Sequence, residues 1–205
     1  ISEFFEKNKH FLGFDTLQRS LITAVKEAVD NSLDACEEVR IHPKISVTIE
    51  KVKGDRIKLT CRDNGPGIPR DSIANVFGKF LLGSRFHAIR QTRGQQGIGI
   101  TGVVMYSQLT TGSKTHVISK TQSDTGAVKV DIGLDTRKNR AIKTNEKREP
   151  WMENGEEISR GLEIQTVMKA KYQRGRQSVY QYLRMTSIVN PHATIELKVL
   201  DAEGK

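Results

Sequence analysis

The alternation of apolar and polar positions divides the chain into a helical opening and a strand-rich remainder. Apolar residues recur at Leu17, Leu21, Val25, Val29, Leu33 and Cys36, the spacing of one face of a long α-helix. Asp15 or Thr16 is placed to cap this helix, and His42-Pro43 to end it. Two period-two runs follow, residues 45–52 and 56–61, joined at Lys53-Gly54-Asp55 as an antiparallel pair. Helical spacing returns over residues 70–82 through Ile73, Val76, Phe77 and Phe80. Residues 83–94 have no pattern, and their length and Gly punctuation predict a lid. Beyond an apolar stretch at 102–109, strands are predicted at 115–120, 127–134, 162–168 and 194–199, with weaker ones at 140–144 and 155–158. A helix is predicted at 177–188, and nothing repeats. This order suits one α+β sandwich. Residues 1–14 hold four phenylalanines outside any clean period, so this arm must be buried on its own domain or on a partner.

The polar side of the long helix carries the first chemistry. At about 100° per residue, Glu27, Asp30, Asn31 and Asp34 share one side. Asp, Asn and Ser are mediocre helix formers, so a merely solvated face would favour Lys, Gln or Glu instead. A carboxylate and an amide one turn apart can share a hard cation and an attacking water. Glu27 and Asn31 form that pair, whereas Asp30 and Asp34 read as supporting or solvated carboxylates.

Two glycine-rich segments follow. Asp63-Asn64-Gly65-Pro66-Gly67-Ile68-Pro69 fixes a turn at the end of a strand, where a ligand can approach the backbone and Asp63 can accept a hydrogen bond from an exocyclic amine. Gly94-Gln95-Gln96-Gly97-Ile98-Gly99-Ile100-Thr101 feeds a helix N-terminus, whose unpaired N–H groups suit phosphate. No Gly-Lys-Ser/Thr follows and no strand immediately precedes it, so it is neither a Walker loop nor a Rossmann turn.

Composition adds limits. The 205 residues suffice for one core, or at most two small ones, with 28% charged and 36% apolar residues, and no apolar run approaches a membrane span. The opening at Ile1 suggests a fragment. Cys36 and Cys61 lack metal-ligand spacing and read as buried thiols of a reducing cytosol. The net charge of +9 makes a polyanionic partner reasonable, and residues 169–191 contain Lys169, Lys171, Arg174, Arg176 and Arg184 without an acid. A second basic stretch is Arg137-Lys138-Asn139-Arg140; each could be a DNA contact or an ordinary solvated face.

Glu-x-x-x-Asn on a helix, Asp-x-Gly-x-Gly after a strand and a lid ending in Gly-x-x-Gly-x-Gly, in that order, resemble the ATP-binding fold shared by gyrase, heat-shock chaperones, histidine kinases and MutL-type repair proteins. Within it, Glu3-Phe4-Phe5, residues 26–35, 63–69 and 91–99, Tyr106-Ser107-Gln108 and residues 182–192 resemble the B subunits of archaeal DNA topoisomerase VI. The resemblance implies a Bergerat-type two-layer α/β sandwich, with a mixed, mostly antiparallel sheet covered on one face by helices. It implies residues 1–14 as an N-terminal strap and 15–205 as the ATP-binding domain, with helix-two-turn-helix and transducer domains beyond Lys205. Carried over, Glu27 is the general base and Asn31 the Mg²⁺ ligand; Asp63 meets the adenine amine, and Gly65 and Gly67 shape its pocket. Ser84, Arg85 and the run Gly94, Gln95, Gln96, Gly97, Ile98, Gly99, Ile100 and Thr101 wrap the phosphates. One departure is Leu162 after Gly161, where the family commonly has Thr, so that adenine-side contact is missing or moved to Thr166.

The implied cofactors are ATP and Mg²⁺, and the implied partners are DNA, a second copy on ATP binding and a topoisomerase A subunit, at the cytoplasmic nucleoid and away from membranes. None of Tyr106, Tyr172, Tyr180 and Tyr182 has an acidic metal cluster nearby in sequence, so strand cleavage falls to the A subunit. The rivals are a MutL-type mismatch-repair ATPase, which shares Asn-Ser-Leu-Asp-Ala, and a non-catalytic DNA-binding or dimerisation module.

Overall fold

A computed structural model describes residues 2–78, 99–138 and 140–201. Helix α1 (Ser2–Leu12) leads into α2 (Leu17–Glu38). The arm is thus helical rather than patternless: Phe5 is buried, with its ring 5.4 Å from Phe14, which stacks at 4.8 Å on Tyr106. These contacts lie on its own domain, while Phe11 stays 76% exposed.

Thr16 caps α2, its hydroxyl accepting from the Arg19 N–H at 3.2 Å. The helix stops at Glu38, before the expected His42-Pro43. The Ile41 N–H donates to the Cys36 carbonyl at 2.8 Å and the Arg40 N–H to that of Glu37 at 3.1 Å, with Arg40 at φ +58°. This is a Schellman stop built without glycine, which is why the sequence hides it.

Strands β1 (Lys44–Lys53) and β2 (Arg56–Asp63) form the first hairpin, followed by α3 (Arg70–Gly78) and α4 (Gly99–Thr111). Next come β3 (Thr115–Lys120), β4 (Ala127–Asp135), β5 (Arg140–Glu149), the short pair β6 (Met152–Glu153) and β7 (Glu156–Glu157), then β8 (Gly161–Lys169), α5 (Val179–Val189) and β9 (Thr194–Leu200). The sheet has seven strands in the order β5-β4-β3-β8-β2-β1-β9. Every pair is antiparallel except β1 with β9, which runs parallel with Ile45 opposite Ile195. β5 extends past the predicted residue 144 because it pairs along β4, although charged side chains mask its alternation.

One face of the sheet, including Val47, Leu59, Val117, Val130 and Ile164, forms a single core with α2, α3, α4 and α5. The fold is therefore a mixed, mostly antiparallel sheet with helices on one face. α4 is buried on nearly all sides and is pinned to β8, Ser107 and Thr111 both donating to the Val167 carbonyl at 2.7 and 2.8 Å. The opposite face carries a small cluster of Ile118, Ala127, Trp151 and Ile158. Among the described residues, no helix is long and apolar enough to cross a membrane.

Candidate functional site

The site is organised along α2. β2 alternates, and its last inward position after Ile57, Leu59 and Cys61 is Asp63, so period two carries a carboxylate into the helix-covered face. Asp63 is 5% exposed. Its Oδ2 accepts from the Ser32 hydroxyl at 2.6 Å, and its Oδ1 from the Gly65 N–H at 2.9 Å. Burial pushes its carboxyl above the ordinary carboxylate range, and the Ser32 and Gly65 hydrogen bonds only partly oppose that. An ionised Asp63 keeps lone-pair capacity for another donor, the role expected of it toward an exocyclic amine.

The turn after Asp63 is fixed from three sides. Asn64 accepts from the Lys44 N–H at 2.8 Å and donates to the His42 carbonyl at 3.1 Å. Ser119 of β3 accepts from the Ile68 N–H at 2.7 Å and donates to the Ile68 carbonyl at 2.8 Å. Gly67 sits at φ +72°, where a Cβ would lie 2.2 Å from the Lys120 carbonyl oxygen. At Gly65 a Cβ would come within 2.9 Å of Asp63 Oδ1 and 3.3 Å of Cys36 Sγ. Cys36 therefore packs against the Gly65 backbone as a buried thiol; burial, aided by Asp63, pushes its pKa up to about 12, which leaves it protonated and inert.

The other end of the site is where α2 meets α4. Glu27 Oε2 lies 3.5 Å from where a Cβ on Gly99 would stand, so the carboxylate faces the first residue of α4. Ser32 is five residues beyond Glu27, roughly 7.5 Å of rise along α2, and Asn31 stands beside it. One helix thus spans from the Asp63 turn to the start of α4. The side chain of Ile100 belongs to the core and the Thr101 hydroxyl reaches the Val76 carbonyl at 3.4 Å; the first backbone N–H groups of a helix have no acceptor within it, a geometry that suits an anion. Ser84, Arg85, Gly94, Gln95, Gln96, Gly97 and Ile98, like the expected lid at 83–94, lie outside the described residues.

The polar stripe divides. Asp30 is buried and accepts from the Tyr182 hydroxyl at 2.7 Å, tying α2 to α5, so it is a structural acceptor rather than a solvated carboxylate. Burial, reinforced by Asp30, raises the Tyr182 pKa. Ser32 is the partner that sequence reasoning passed over. Its signal was a serine lying about 140° round the helix from Glu27, among apolar sheet-facing positions. The register also settles Thr166: Leu162 stands opposite Asp63, whereas Thr166 stands opposite Leu59, about 13 Å further along β8. Thr166 is buried and accepts from Thr115 at 3.3 Å, so it does not replace the missing threonine. Among the described residues no cluster of three or more His, Cys, Asp or Glu could hold a metal. A cation here would have to take its other ligands from a bound anion and water, as Mg²⁺ commonly does.

The basic segment after β8 is irregular and exposed, anchored over the start of α2 by Lys171 N–H to the Leu17 carbonyl at 3.1 Å and Gln18 to the Gln177 carbonyl at 2.6 Å. Lys169 is paired to Asp55 at 3.5 Å, whereas Lys171, Arg174, Arg176 and Arg184 are exposed and make no salt bridge within the described residues. Arg137 and Lys138 lie in a tight turn, both N–H groups donating to Asp135 Oδ1, at 3.1 and 3.0 Å.

Residues 16–138 match the family of histidine kinase-, DNA gyrase B- and HSP90-like ATPases. The chain is 53% identical over 196 residues to the B subunit of type 2 DNA topoisomerase 6 from Archaeoglobus fulgidus, covering 95% of this chain and 32% of that one. It is 49% identical over 205 residues to the protein of the same name from Methanosarcina acetivorans, covering 100% and 32%. This chain thus spans about a third of the length of the curated relatives it matches. Among solved structures, the ADP-complexed MutL ATPase domain of Aquifex aeolicus superposes with a TM-score of 0.50 at 18% identity, over 87% of this chain and 59% of that one. That likeness establishes the shared fold. With the family match over most of the chain and the sheet, helices and turn in place, the chain belongs to the histidine kinase-, DNA gyrase B- and HSP90-like ATPase family.

Proposed function

We propose that the chain binds ATP with Mg²⁺ and hydrolyses it as the nucleotide module of a topoisomerase VI-type B subunit. The observation that carries this reading is the alignment along α2 of a buried, pre-bonded acceptor, Asp63, with a carboxylate, Glu27, facing the N-terminus of a buried helix. Asp63 accepts the exocyclic amine of adenine, a contact that a purine bearing oxygen at that position cannot make. The N–H groups at the start of α4 receive phosphate oxygens. Glu27 takes a proton from the water that attacks the terminal phosphorus. Mg²⁺, when bound, neutralises phosphate charge, and Asn31 is the side chain that would hold it. Ser84, Arg85 and residues 94–98 complete the phosphate end in this reading.

Near-half identity to topoisomerase 6 B subunits across the length of this chain supports a role in ATP-driven dimer closure around DNA, with strand passage completed by an A subunit. The exposed Lys171, Arg174 and Arg176 supply a surface for the DNA backbone, and the α1 arm, with Phe11 exposed, is the segment that reaches a second copy. A MutL-type repair role rests on the fold alone, at 18% identity. Light scattering with a non-hydrolysable ATP analogue and Mg²⁺ tests the reading: the expected result is saturable binding with a doubling of mass. Saturable binding by a species that stays monomeric would refute the dimer closure, and no binding would refute the nucleotide site.

A further inference from the structure

The strand ends that carry the Asp63 turn are gripped from the other side of the sheet. Period two puts Arg62 on the back face beside Asp63, and Lys120 on the back face beside Ser119. The segment from Trp151 to Ile158, which contains β6 and β7, closes over both. Arg62 makes a two-pronged pair with Glu153, Nη1 to Oε1 at 2.6 Å and Nη2 to Oε2 at 2.9 Å, and its guanidinium lies 4.8 Å from the Trp151 ring centroid. Lys120 Nζ donates to Glu157 Oε1 at 2.6 Å, and the lysine side chain is only 6% exposed. The hairpin is closed on the strand side by the Ile158 N–H donating to the Trp151 carbonyl at 2.7 Å.

An exposed ion pair contributes little to stability, and here Glu153 and Glu157 are half-exposed while their cationic partners are sheltered. Arg62 is held by a planar fork and a stacked ring at once. Lys120 is a buried ammonium with this half-exposed carboxylate as its ion-pair partner, so neutralising Glu157 weakens the tether that holds the end of β3. The Lys120 carbonyl is the atom that packs against Gly67, so a shift there opens the turn on the nucleotide side.

We propose that Arg62 and Lys120, clamped by Glu153, Glu157 and Trp151, are positioning residues that set the width of the purine slot and so the preference for adenine. This rests on the nucleotide reading above. The test compares, in the intact protein, affinities for a non-hydrolysable ATP analogue and for its inosine counterpart, in which oxygen replaces the exocyclic amine. In Glu153→Gln/Glu157→Gln the ATP analogue is expected to lose about tenfold in affinity and the inosine analogue much less, so that their ratio narrows. Added to Asp63→Ala, which already lacks the amine contact, the same pair should narrow the ratio no further. A purely structural hairpin would lower the binding-competent fraction for both analogues alike, and an unchanged ratio overturns the proposal. Should the double variant melt below the assay temperature, Glu157→Gln alone decides by the same ratio. If the unmodified protein binds neither analogue, the nucleotide reading falls and takes this one with it. If it discriminates and the hairpin variants discriminate equally, only this one falls.

Discussion

The two ends of the site along α2 solve opposite problems. At the Ser32 end, a carboxylate is buried before any ligand arrives, and the protein supplies hydrogen bonds from Ser32 and Gly65 in advance. At the Glu27 end, the side chains of Glu27 and Asn31 are half-buried, and the Glu27 carboxylate stands near the N-terminus of α4. A buried acceptor must be pre-paired because desolvation would otherwise raise its energy by several kcal/mol, whereas half-buried groups keep part of their hydration and carry a smaller penalty. In the proposed reading, the first end is suited to recognising a purine and the second to a change of charge.

Glu27→Ala gives the widest separation of the two ends. Turnover in the intact protein should drop by roughly 10² to 10⁴, with analogue affinity kept. Wild-type turnover in a phosphate-release assay would remove Glu27 from the chemistry. Asp63→Ala should act on the other quantity and weaken analogue binding by roughly 1–3 kcal/mol, about 5- to 150-fold. Unaltered affinity by calorimetry would end the purine assignment.

The same carboxyl has a pH signature. Its folded pKa is raised by burial, so the folded chain still holds the proton at pH values where the unfolded chain has released it. Its contribution to stability is therefore fully present below the unfolded value and lost as pH rises through the folded one. Binding runs the other way: protonation competes with the amine, so analogue affinity should fall on acidification toward that raised value. Asp63→Asn should flatten this profile, and a profile of unchanged shape would contradict it.

Smaller effects sharpen the contrast through the stability of the fold. Gly67→Ala places a methyl against the Lys120 carbonyl at positive φ and should cost about 1–3 kcal/mol in denaturant melts. Arg40→Gly, at the far end of α2, should instead stabilise by about 1 kcal/mol, since only a left-handed conformation is relieved. A melting temperature lower than wild type would show that the Arg40 side chain matters more than its backbone.

Much of this was legible from residues. Leu21, Val25, Val29 and Leu33 are buried as their spacing requires, and the alternation of 56–61 continues two residues further to place Asp63 inward. What stayed hidden depended on distant parts of the chain. The arm is helical because Phe5 meets Phe14 and Tyr106, a contact that no local period encodes. β5 is long because β4 offers it an edge, and α2 ends early on an arginine that tolerates the glycine conformation. Ser32 reads as a poor helix former until the partner 31 residues away is known.

The strand order has a consequence for how such a chain comes into being. β8 lies between β2 and β3, yet it is made about a hundred residues after β2. Until the ribosome has released residues 161–169, the nascent sheet exists as two separate pieces with raw edges on β2 and β3, each open to pairing with another chain. Closure across such a separation is slow compared with local hairpin formation, so the emerging chain passes through a window in which mispairing competes with folding. The Asp63 turn is translated early but gains its second flanking strand only when β8 arrives beside it.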